Sequence, residues 1–184
     1  VITRGKVHNY LGMTIDYSTN GKVKITMIPY IQGMLDKIPI DIAVESAMPA
    51  GTHLFQVNED ANKLDKVTAQ LLHHNVAKLL FLCKQAQPDI QTAVAFLCTH
   101  VKTPDIDDYK KLTRTMRFLH GTINDPLTLE ADNISLIKWW IDAAYAVHPD
   151  MKSHTNGTMT LGKGSPYSAC TNQKLKGESS TEAE

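Results

Sequence analysis

Residues 139–184 read WWIDAAYAVHPDMKSHTNGTMTLGKGSPYSACTNQKLKGESSTEAE, and the fold prediction depends on this stretch. It continues an apolar run, 134–147, that is interrupted only by Ser135, Lys138 and Asp142. A short run rich in Ile and Trp is typical of a strand buried on both faces. Because an unpaired carboxylate is costly in such a strand, we expect Asp142 to have a hydrogen-bonded structural role or to bind a metal.

The residues after this strand predict a β-hairpin and then the start of a helix. Two short stretches, 158–161 and 167–170, lie on either side of a Gly-x-Gly turn, which indicates the hairpin. In the final segment, 179–184, hydroxyl side chains are followed by carboxylates, as in the capped first turn of a helix. The predicted order is a strand with Asp142, a hairpin, and a helix start with Glu182.

This order and two motifs resemble the ribonuclease H half of copia-type (Pseudoviridae) retrotransposon polyproteins. The motifs are Asp-Ala-Ala-Tyr-Ala-Val-His at 142–148 and Ser-Ser-Thr-Glu-Ala-Glu at 179–184. The resemblance implies that Asp142 and Glu182 are catalytic residues and the first two ligands of Mg²⁺ ions. The family has further acidic ligands downstream, and the sequence reaches only Glu184. We therefore expect magnesium binding to be weak or absent here, and this piece of chain to be inactive as a nuclease.

The composition predicts an ordinary globular protein in a reducing compartment. Apolar residues make up 42% of the chain and charged residues 21%, which is typical of soluble domains. Nineteen basic and nineteen acidic side chains balance, so net charge gives no argument for a free-standing nucleic-acid-binding module. The three cysteines are widely spaced and form neither a zinc-ligand pattern nor a disulfide framework.

No membrane segment and no targeting segment is predicted. No apolar run approaches the roughly 18 residues that a membrane span needs. The first residues do not have the pattern of a signal peptide, and the first methionine is Met13. Together with the abrupt end, this predicts a piece of a longer reading frame.

The N-terminal region, 1–44, predicts a hairpin and a short helix. Alternating residues around Asn20 and Gly21 indicate the hairpin. Residues 30–41 have the apolar spacing of a helix that resembles the start of a polymerase thumb. The predicted apolar stripe is Ile31, Met34, Leu35 and Ile38.

The segment Tyr10-Leu11-Gly12 is similar to the Tyr/Phe-Leu-Gly segment that follows the catalytic Asp pair of copia-type reverse transcriptases. In that family the region holds the primer end, so the resemblance implies that Tyr10, Leu11 and Gly12 bind nucleic acid. The alternative is a plain hairpin with solvated lysines, which the local charge alone favours. The Asp pair itself would lie upstream of Val1.

Three helices are predicted after a linker at 45–66. Asp65 caps the first helix, Pro88 suits the first turn of the second, and Thr103-Pro104 opens the third, which Gly121 ends. The predicted buried stripes are Val67, Leu71, Leu72, Val76, Leu79, Leu80 and Cys83; Ile90, Val94, Leu97 and Val101; and Tyr109, Leu112, Met116 and Leu119. The order resembles the connection region of the same family, although Gln87 stands where the family usually has Arg.

The third helix has a basic face, comprising Lys110, Lys111, Arg114 and Arg117. Spacings of three and four residues would let these side chains follow phosphates, so we assign nucleic-acid binding to Lys110, Arg114 and Arg117. The alternative is a solvated helix surface, which is the more common role of such a face.

Other combinations of residues give weaker predictions. Adjacent histidines at 73 and 74 point about 100° apart on a helix, and Cys83 lies on an apolar stripe, so a zinc site is disfavoured. The glycines around Lys163 fit a hairpin turn better than a phosphate loop. Leu127–Ala131 predicts a strand and Asn133 a turn.

These features predict an α+β fold. A β-hairpin and helical thumb/connection region precede a truncated ribonuclease H-like α/β domain, with boundaries 1–44, 45–66, 67–126 and 127–184. The resemblance implies a parent protein that synthesises DNA on RNA and cleaves RNA in RNA–DNA hybrids. Its partners would be such hybrids or DNA, with nucleotides as its small-molecule substrates and no membrane. The alternative is a non-catalytic remnant that acts as a structural or interaction module.

Overall fold

Helices and antiparallel sheets share the chain, and the predicted α+β class is confirmed. The computed structural model describes residues 4–132 and 134–183, so the turn predicted at Asn133 and the terminal Glu184 lie outside the described residues. The strands are β1 (Val7–Tyr10), β2 (Met13–Asp16), β3 (Lys22–Thr26), β4 (Leu127–Ala131), β5 (Lys138–Ala144), β6 (His154–Thr160), β7 (Gly162–Lys163) and β8 (Tyr167–Asn172). The helices are α1 (Ile28–Leu35), α2 (Lys66–Gln85), α3 (Gln91–His100), α4 (Ile106–Gly121) and α5 (Ser180–Ala183), and one 3₁₀ turn, Pro88–Ile90, precedes α3.

The first sheet has the strand order β1-β2-β3-β4-β7. The predicted hairpin is confirmed, since β2 and β3 pair across a turn in which Gly21 has a φ of 73°. A second tight turn joins β1 to β2 through Leu11 and Gly12, with φ values of 49° and 80°. Two successive positive φ angles are typical of a type I′ turn. The sequence did not predict this turn because Leu rarely adopts a positive φ.

Strand β4 pairs with β3, although the sequence assigns it to the segment 127–184. The ion pair between Lys22 Nζ and Glu130 Oε2, at 3.1 Å, bridges these two strands. Strand β7 then pairs with β4. The first sheet therefore contains strands from both halves of the chain.

Helices α2, α3 and α4 form the main core, as their stripes predict. Asp65 caps α2 as predicted, with its Oδ1 accepting hydrogen bonds from the backbone N–H groups of Val67 and Thr68 at 2.9 and 3.1 Å. The cap of α4 is Asp105, so this helix begins slightly later than the Thr103-Pro104 signal predicts. Its carboxylate accepts the N–H of Asp108, whose own carboxylate accepts the N–H of Asp105.

Most of the predicted stripe residues are buried. Those in the core are Ile31, Met34, Leu35, Ile38, Leu72, Val76, Leu79, Cys83, Ile90, Val94, Leu97, Leu112, Met116 and Leu119. Val67 and Leu80 are exposed, contrary to the prediction. The buried face of α2 is narrower than predicted because Leu79 and Cys83 fill it, while Leu80 lies about 100° further around the helix.

The second sheet has the order β5-β6-β8, and the predicted hairpin is confirmed as β6 paired with β8. The prediction of a strand buried on both faces is wrong. Strand β5 lies at the edge of this sheet, and its residues from Trp139 to Asp142 are exposed. Helix α3 packs against β8, at the opposite edge, whereas β5 packs against the short helix α5.

Candidate functional site

Asp142 lies in the middle of the exposed edge strand. Its register partner on β6 is Asn156, whose own partner on β8 is Cys170. Directly paired residues have their side chains on the same face of a sheet. Asn156 Oδ1 accepts a hydrogen bond from Thr92 Oγ1 at 3.5 Å, so this face is the one that α3 covers at β6 and β8.

Glu182 lies in α5, and the predicted helix start is confirmed. Ser179 Oγ accepts a hydrogen bond from the backbone N–H of Glu182 at 3.3 Å. Glu182 Oε2 accepts one from the N–H of Glu178 at 2.7 Å. The carboxylate therefore closes the turn that leads into its own helix.

Helix α5 packs against β5, which brings together the two elements that carry Asp142 and Glu182. Gln173 Nε2 donates to the Ala183 carbonyl at 2.6 Å and to Thr155 Oγ1 at 2.7 Å. Thr155 is adjacent to Asn156 on β6, so its side chain is on the face opposite to that of Asp142. The last turn of the described chain is therefore anchored on the other face of the sheet.

Two carboxylates do not make a magnesium site by themselves. Mg²⁺ prefers six oxygens in nearly octahedral geometry and loses its waters reluctantly. Across residues 4–132 and 134–183, no group of three or more His, Cys, Asp or Glu side chains is arranged to hold a metal ion. Asp142 is exposed, and Glu182 already accepts a backbone hydrogen bond, so these two residues alone do not fit the ion.

The segment Tyr10-Leu11-Gly12 forms the exposed tip of the β1–β2 hairpin. Tyr10 and Leu11 project into solvent, and Gly12 lies close to Met27 and Tyr30. An exposed aromatic residue on a tight turn is available to stack on a base. This geometry is compatible with the assigned role and equally with a plain hairpin tip.

The basic face of α4 lies along residues 41–58, which we call the connecting segment. Arg117 Nε donates to the Asp41 carbonyl at 2.9 Å, Arg114 Nε donates to the Met48 carbonyl at 3.2 Å, and Lys111 Nζ donates to the Gln56 carbonyl at 2.7 Å. These bonds hold part of the predicted linker 45–66 against the helix. Lys111, Arg114 and Arg117 thus fix the connecting segment to the helix. The sequence did not predict this structural role.

A cleft of about 970 Å³ separates the connecting segment from α4. All four residues of the basic face line it, together with Asp107 and both apolar and polar residues of the connecting segment, Glu45 among them. Lys110 Nζ is paired with Asp107 Oδ1 at 2.8 Å on the same helix. Each arginine uses Nε for the connecting segment, and its two terminal nitrogens make no other hydrogen bond with the described residues.

A buried chain of polar side chains lies between the connecting segment and the second sheet, and the sequence did not predict it. His148 Nε2 and His154 Nδ1 share a hydrogen bond of 2.9 Å, and His154 Nε2 lies 2.8 Å from Cys170 Sγ. The Phe55 ring stands 5.2 Å from each imidazole. The sequence could have predicted this contact only through the register of the hairpin, which puts His154 and Cys170 on one face of the sheet.

The histidine–cysteine chain stays uncharged in the fold. Burial is the main reason why the pKa of His154 is lowered from 6.5 to about 4, and the neighbouring His148 lowers it further. Burial also lowers the pKa of His148 and raises the pKa of the Cys170 thiol. The three groups follow one another in a row and do not converge on a common point, so the arrangement suits a structural hydrogen-bond chain.

The disfavoured zinc site gains no support from the geometry. His73 and His74 are both exposed on α2, and Cys83 is buried in the core as predicted. Burial raises the pKa of the Cys83 thiol to about 11, which keeps it protonated. None of the described helices has the length and apolarity needed to cross a membrane.

Comparison with known proteins gives one informative similarity. No family model and no solved structure matches the chain. The chain is 28% identical over 185 residues to the "Putative transposon Ty5-1 protein YCL074W" of Saccharomyces cerevisiae (strain ATCC 204508 / S288c). The match covers 98% of this chain and 58% of the yeast protein, so the chain spans little more than half the length of that relative. This similarity indicates a transposon-related protein.

Proposed function

We propose that the chain is a segment of a retrotransposon polyprotein of the reverse transcriptase and ribonuclease H type. The observation that carries the proposal is the similarity to a transposon protein along 98% of the chain. The order of strand, hairpin and helix that links Asp142 to Glu182 supports it, because the copia-type motifs identified in the sequence lie on those elements. The parent protein would synthesise DNA on an RNA template and cleave RNA in RNA–DNA hybrids.

Within that parent, the candidate nucleic-acid contacts lie on two surfaces. Tyr10 and Leu11 form an exposed tip suited to stacking. Arg114 and Arg117 retain terminal guanidinium nitrogens that are suited to phosphate oxygens. Lys110 is weakened as a phosphate contact by its ion pair with Asp107.

Asp142 and Glu182 are the candidate catalytic residues of the ribonuclease H part. A metal ion in such a site would activate water and stabilise the leaving oxygen. These two carboxylates do not fit the ion without further ligands, so the described residues do not by themselves form a cleavage site. We propose instead that the 184-residue chain binds nucleic acid weakly and does not cleave it.

A binding and cleavage experiment tests this proposal. A labelled RNA–DNA hybrid is titrated with the purified chain and with an Arg114→Ala/Arg117→Ala variant, with Mg²⁺ present. Lys174→Ala/Lys176→Ala is the matched control, since it removes the same charge from exposed positions. We expect salt-dependent binding that weakens about tenfold or more in the arginine variant and little in the control.

Two outcomes contradict the proposal in different ways. If the arginine variant and the control bind the hybrid equally well, Arg114 and Arg117 do not contribute to nucleic-acid binding. Cleavage that is lost on Asp142→Asn shows that the chain is an active nuclease. Flanking genomic sequence tests the parent directly, because an intact polyprotein has an in-frame Tyr-Val-Asp-Asp-like segment upstream and further Asp-bearing segments downstream.

The second candidate function is a non-catalytic interaction module. The exposed apolar side chains of β5 favour it, because large apolar patches on a protein surface mark interaction sites. If the native chain does not bind nucleic acid but associates specifically with itself, this second candidate is supported over the first.

A further inference from the structure

The cleft between the connecting segment and α4 is built entirely from the interior of the chain. Every residue that lines it lies between Val44 and Arg117, and the hydrogen bonds from α4 to the carbonyl groups of the connecting segment join its two walls. Its volume of about 970 Å³ is at the upper end of the range of about 300–1,000 Å³ that is typical of small-ligand sites. A single nucleotide unit fits such a space, whereas a base-paired duplex is far too bulky to enter it.

Positive charge exceeds negative charge in this cleft. The four cations of the basic face line it together with two carboxylates, Glu45 and Asp107, and Lys110 already pairs with Asp107 at 2.8 Å. Arg114 and Arg117 are held in place through Nε, which leaves their terminal nitrogens without another hydrogen bond to the described residues. Planar guanidinium groups bind phosphate oxygens through two parallel hydrogen bonds. The cleft therefore presents two guanidinium groups that are already positioned for phosphates.

The neutral part of the lining suits a sugar and a base. Val44 and Met48 line the cleft and are 60% and 61% exposed. His53 and Gln56, which are exposed as well, contribute an imidazole that can stack on a base and an amide that can bond a base edge. In a duplex the base faces are stacked and the Watson–Crick edges are paired, so only an unpaired base offers both to a protein. The whole lining thus matches an unpaired nucleotide better than a duplex.

Building on the proposed function, we propose that this cleft holds an unpaired nucleotide of a strand that continues out of an RNA–DNA hybrid. Arg114 and Arg117 bind its phosphates, and its base lies against the neutral wall that contains Met48. Such a strand has two sources in the parent reaction, namely RNA template that has not yet been copied and DNA from which the RNA has been cleaved. Both present the same chemistry, a phosphodiester with a free base.

The first test compares nucleic acids that differ only in their unpaired part. The native chain is titrated with a hybrid that has a short overhang on the RNA strand, with one that has it on the DNA strand, and with a longer blunt hybrid that carries the same number of phosphates. We expect at least one overhang to bind about tenfold more tightly than the blunt hybrid. An overhang without bases should lose this gain in affinity, and raised salt should weaken both forms but leave the gain.

The second test blocks the terminal nitrogens of Arg114 without removing the arginine. A Cβ added at Gly51 would lie 3.9 Å from the Cζ and Nη1 atoms of Arg114, so the carboxylate of Gly51→Glu can pair with the guanidinium. The bond from Arg114 Nε to the Met48 carbonyl remains, and the connecting segment stays anchored. We expect Gly51→Glu to lose most of the overhang gain. Gln70→Glu, which adds the same charge at an exposed position of α2, is the matched control and should keep the gain.

The third test separates the base contact from the phosphate contacts. Met48→Ser removes an apolar side chain but leaves the charge of the cleft and the backbone carbonyl that anchors Arg114. We expect it to weaken binding of the overhang hybrid about threefold or more and to leave binding of the blunt hybrid unchanged. Val67→Ser, at a position of α2 that is 75% exposed, is the control and should change neither.

Each variant is checked by far-ultraviolet circular dichroism, so that lost folding is not mistaken for lost binding. The proposal is overturned if neither overhang binds more tightly than the longer blunt hybrid, or if an overhang without bases keeps the gain. A gain that survives in both Gly51→Glu and Met48→Ser overturns it too, because the unpaired nucleotide then lies elsewhere. In each of these cases the proposed function stands if Arg114→Ala/Arg117→Ala still weakens binding of the blunt hybrid. A native chain that binds no form of the hybrid overturns both.

Discussion

His154 Nε2 lies 2.8 Å from Cys170 Sγ, and this contact joins the two strands of the second hairpin beneath the helical layer. The Cys170 thiol in turn lies 3.7 Å from Thr92 Oγ1 on α3. Phe55 of the connecting segment packs against the His154 ring, with 5.2 Å between the ring centroids. The three parts of the structure therefore meet at one buried imidazole, and the stability of their packing depends on its charge.

Stability is predicted to fall in acid because of His154. In the unfolded chain this imidazole takes up a proton near its ordinary pKa of 6.5, whereas in the fold its pKa is lowered to about 4. Between these values the unfolded state binds more protons, so the free energy of unfolding decreases as the pH falls from about 6.5 to about 4. We expect a loss of about 1–3 kcal/mol, measured by urea denaturation across this range.

The variant His154→Gln separates this effect from general acid denaturation. Gln retains a donor and an acceptor but does not titrate, so the slope of stability against pH should become shallower over the same range. His73→Gln, at an exposed position on α2, is the control and should leave the slope as it is. An unchanged slope in His154→Gln would show that another group causes the loss.

Replacing Gly164 by alanine is predicted to destabilise the protein, whereas replacing Gly33 is not. Gly164 has a φ of 74°, and a Cβ there would collide with the Thr128 carbonyl oxygen of β4. Gly164→Ala should therefore destabilise the protein by about 1–3 kcal/mol. Gly33→Ala, in α1 with no atom near the added carbon, should stabilise it by up to about 1 kcal/mol. Equal effects of the two changes in thermal denaturation would contradict the packing of β7 on β4.

The connecting segment is predicted to loosen when its arginine contact is removed. Arg117→Ala deletes the 2.9 Å hydrogen bond to the Asp41 carbonyl. We expect faster proteolysis and faster amide hydrogen exchange within 41–58. Lys110→Ala is the matched control, because the partner of Lys110 among the described residues is Asp107 of its own helix. Equal protection in both variants would show that the packing of Leu54 and Phe55 holds the segment without help.

The cap of α4 is predicted to contribute more to the stability of the protein than the cap of α2. Asp105 is buried, forms a reciprocal pair of hydrogen bonds with Asp108 and contacts Lys63 Nζ at 3.3 Å. Asp105→Ala should cost about 1–2 kcal/mol of stability. Asp65→Ala removes a solvent-exposed cap and should cost less, as measured by chemical denaturation. The reverse order would mean that burial of Asp105 is itself destabilising.

Local chemistry in the sequence determined most of the elements. The cap at Asp65, the glycine turn at Gly21 and the helical stripes were predicted because each depends on residues only a few positions apart. The hydroxyl and carboxylates that start α5 were predictable for the same reason. The Leu11 turn was missed because its residue type is unusual for that conformation.

The tertiary structure alone decided what surrounds these elements. The run that contains Asp142 predicted a buried strand, yet β5 is an edge strand, because burial depends on which layers cover a strand and not on its own hydrophobicity. The basic face of α4 predicted phosphate contacts, yet three of its cations hydrogen-bond carbonyl oxygens of the connecting segment, which lie more than fifty positions away in the sequence. The histidine–cysteine chain likewise exists only through the hairpin register. Contacts between residues distant in the chain depend on the global packing, and no local pattern encodes them.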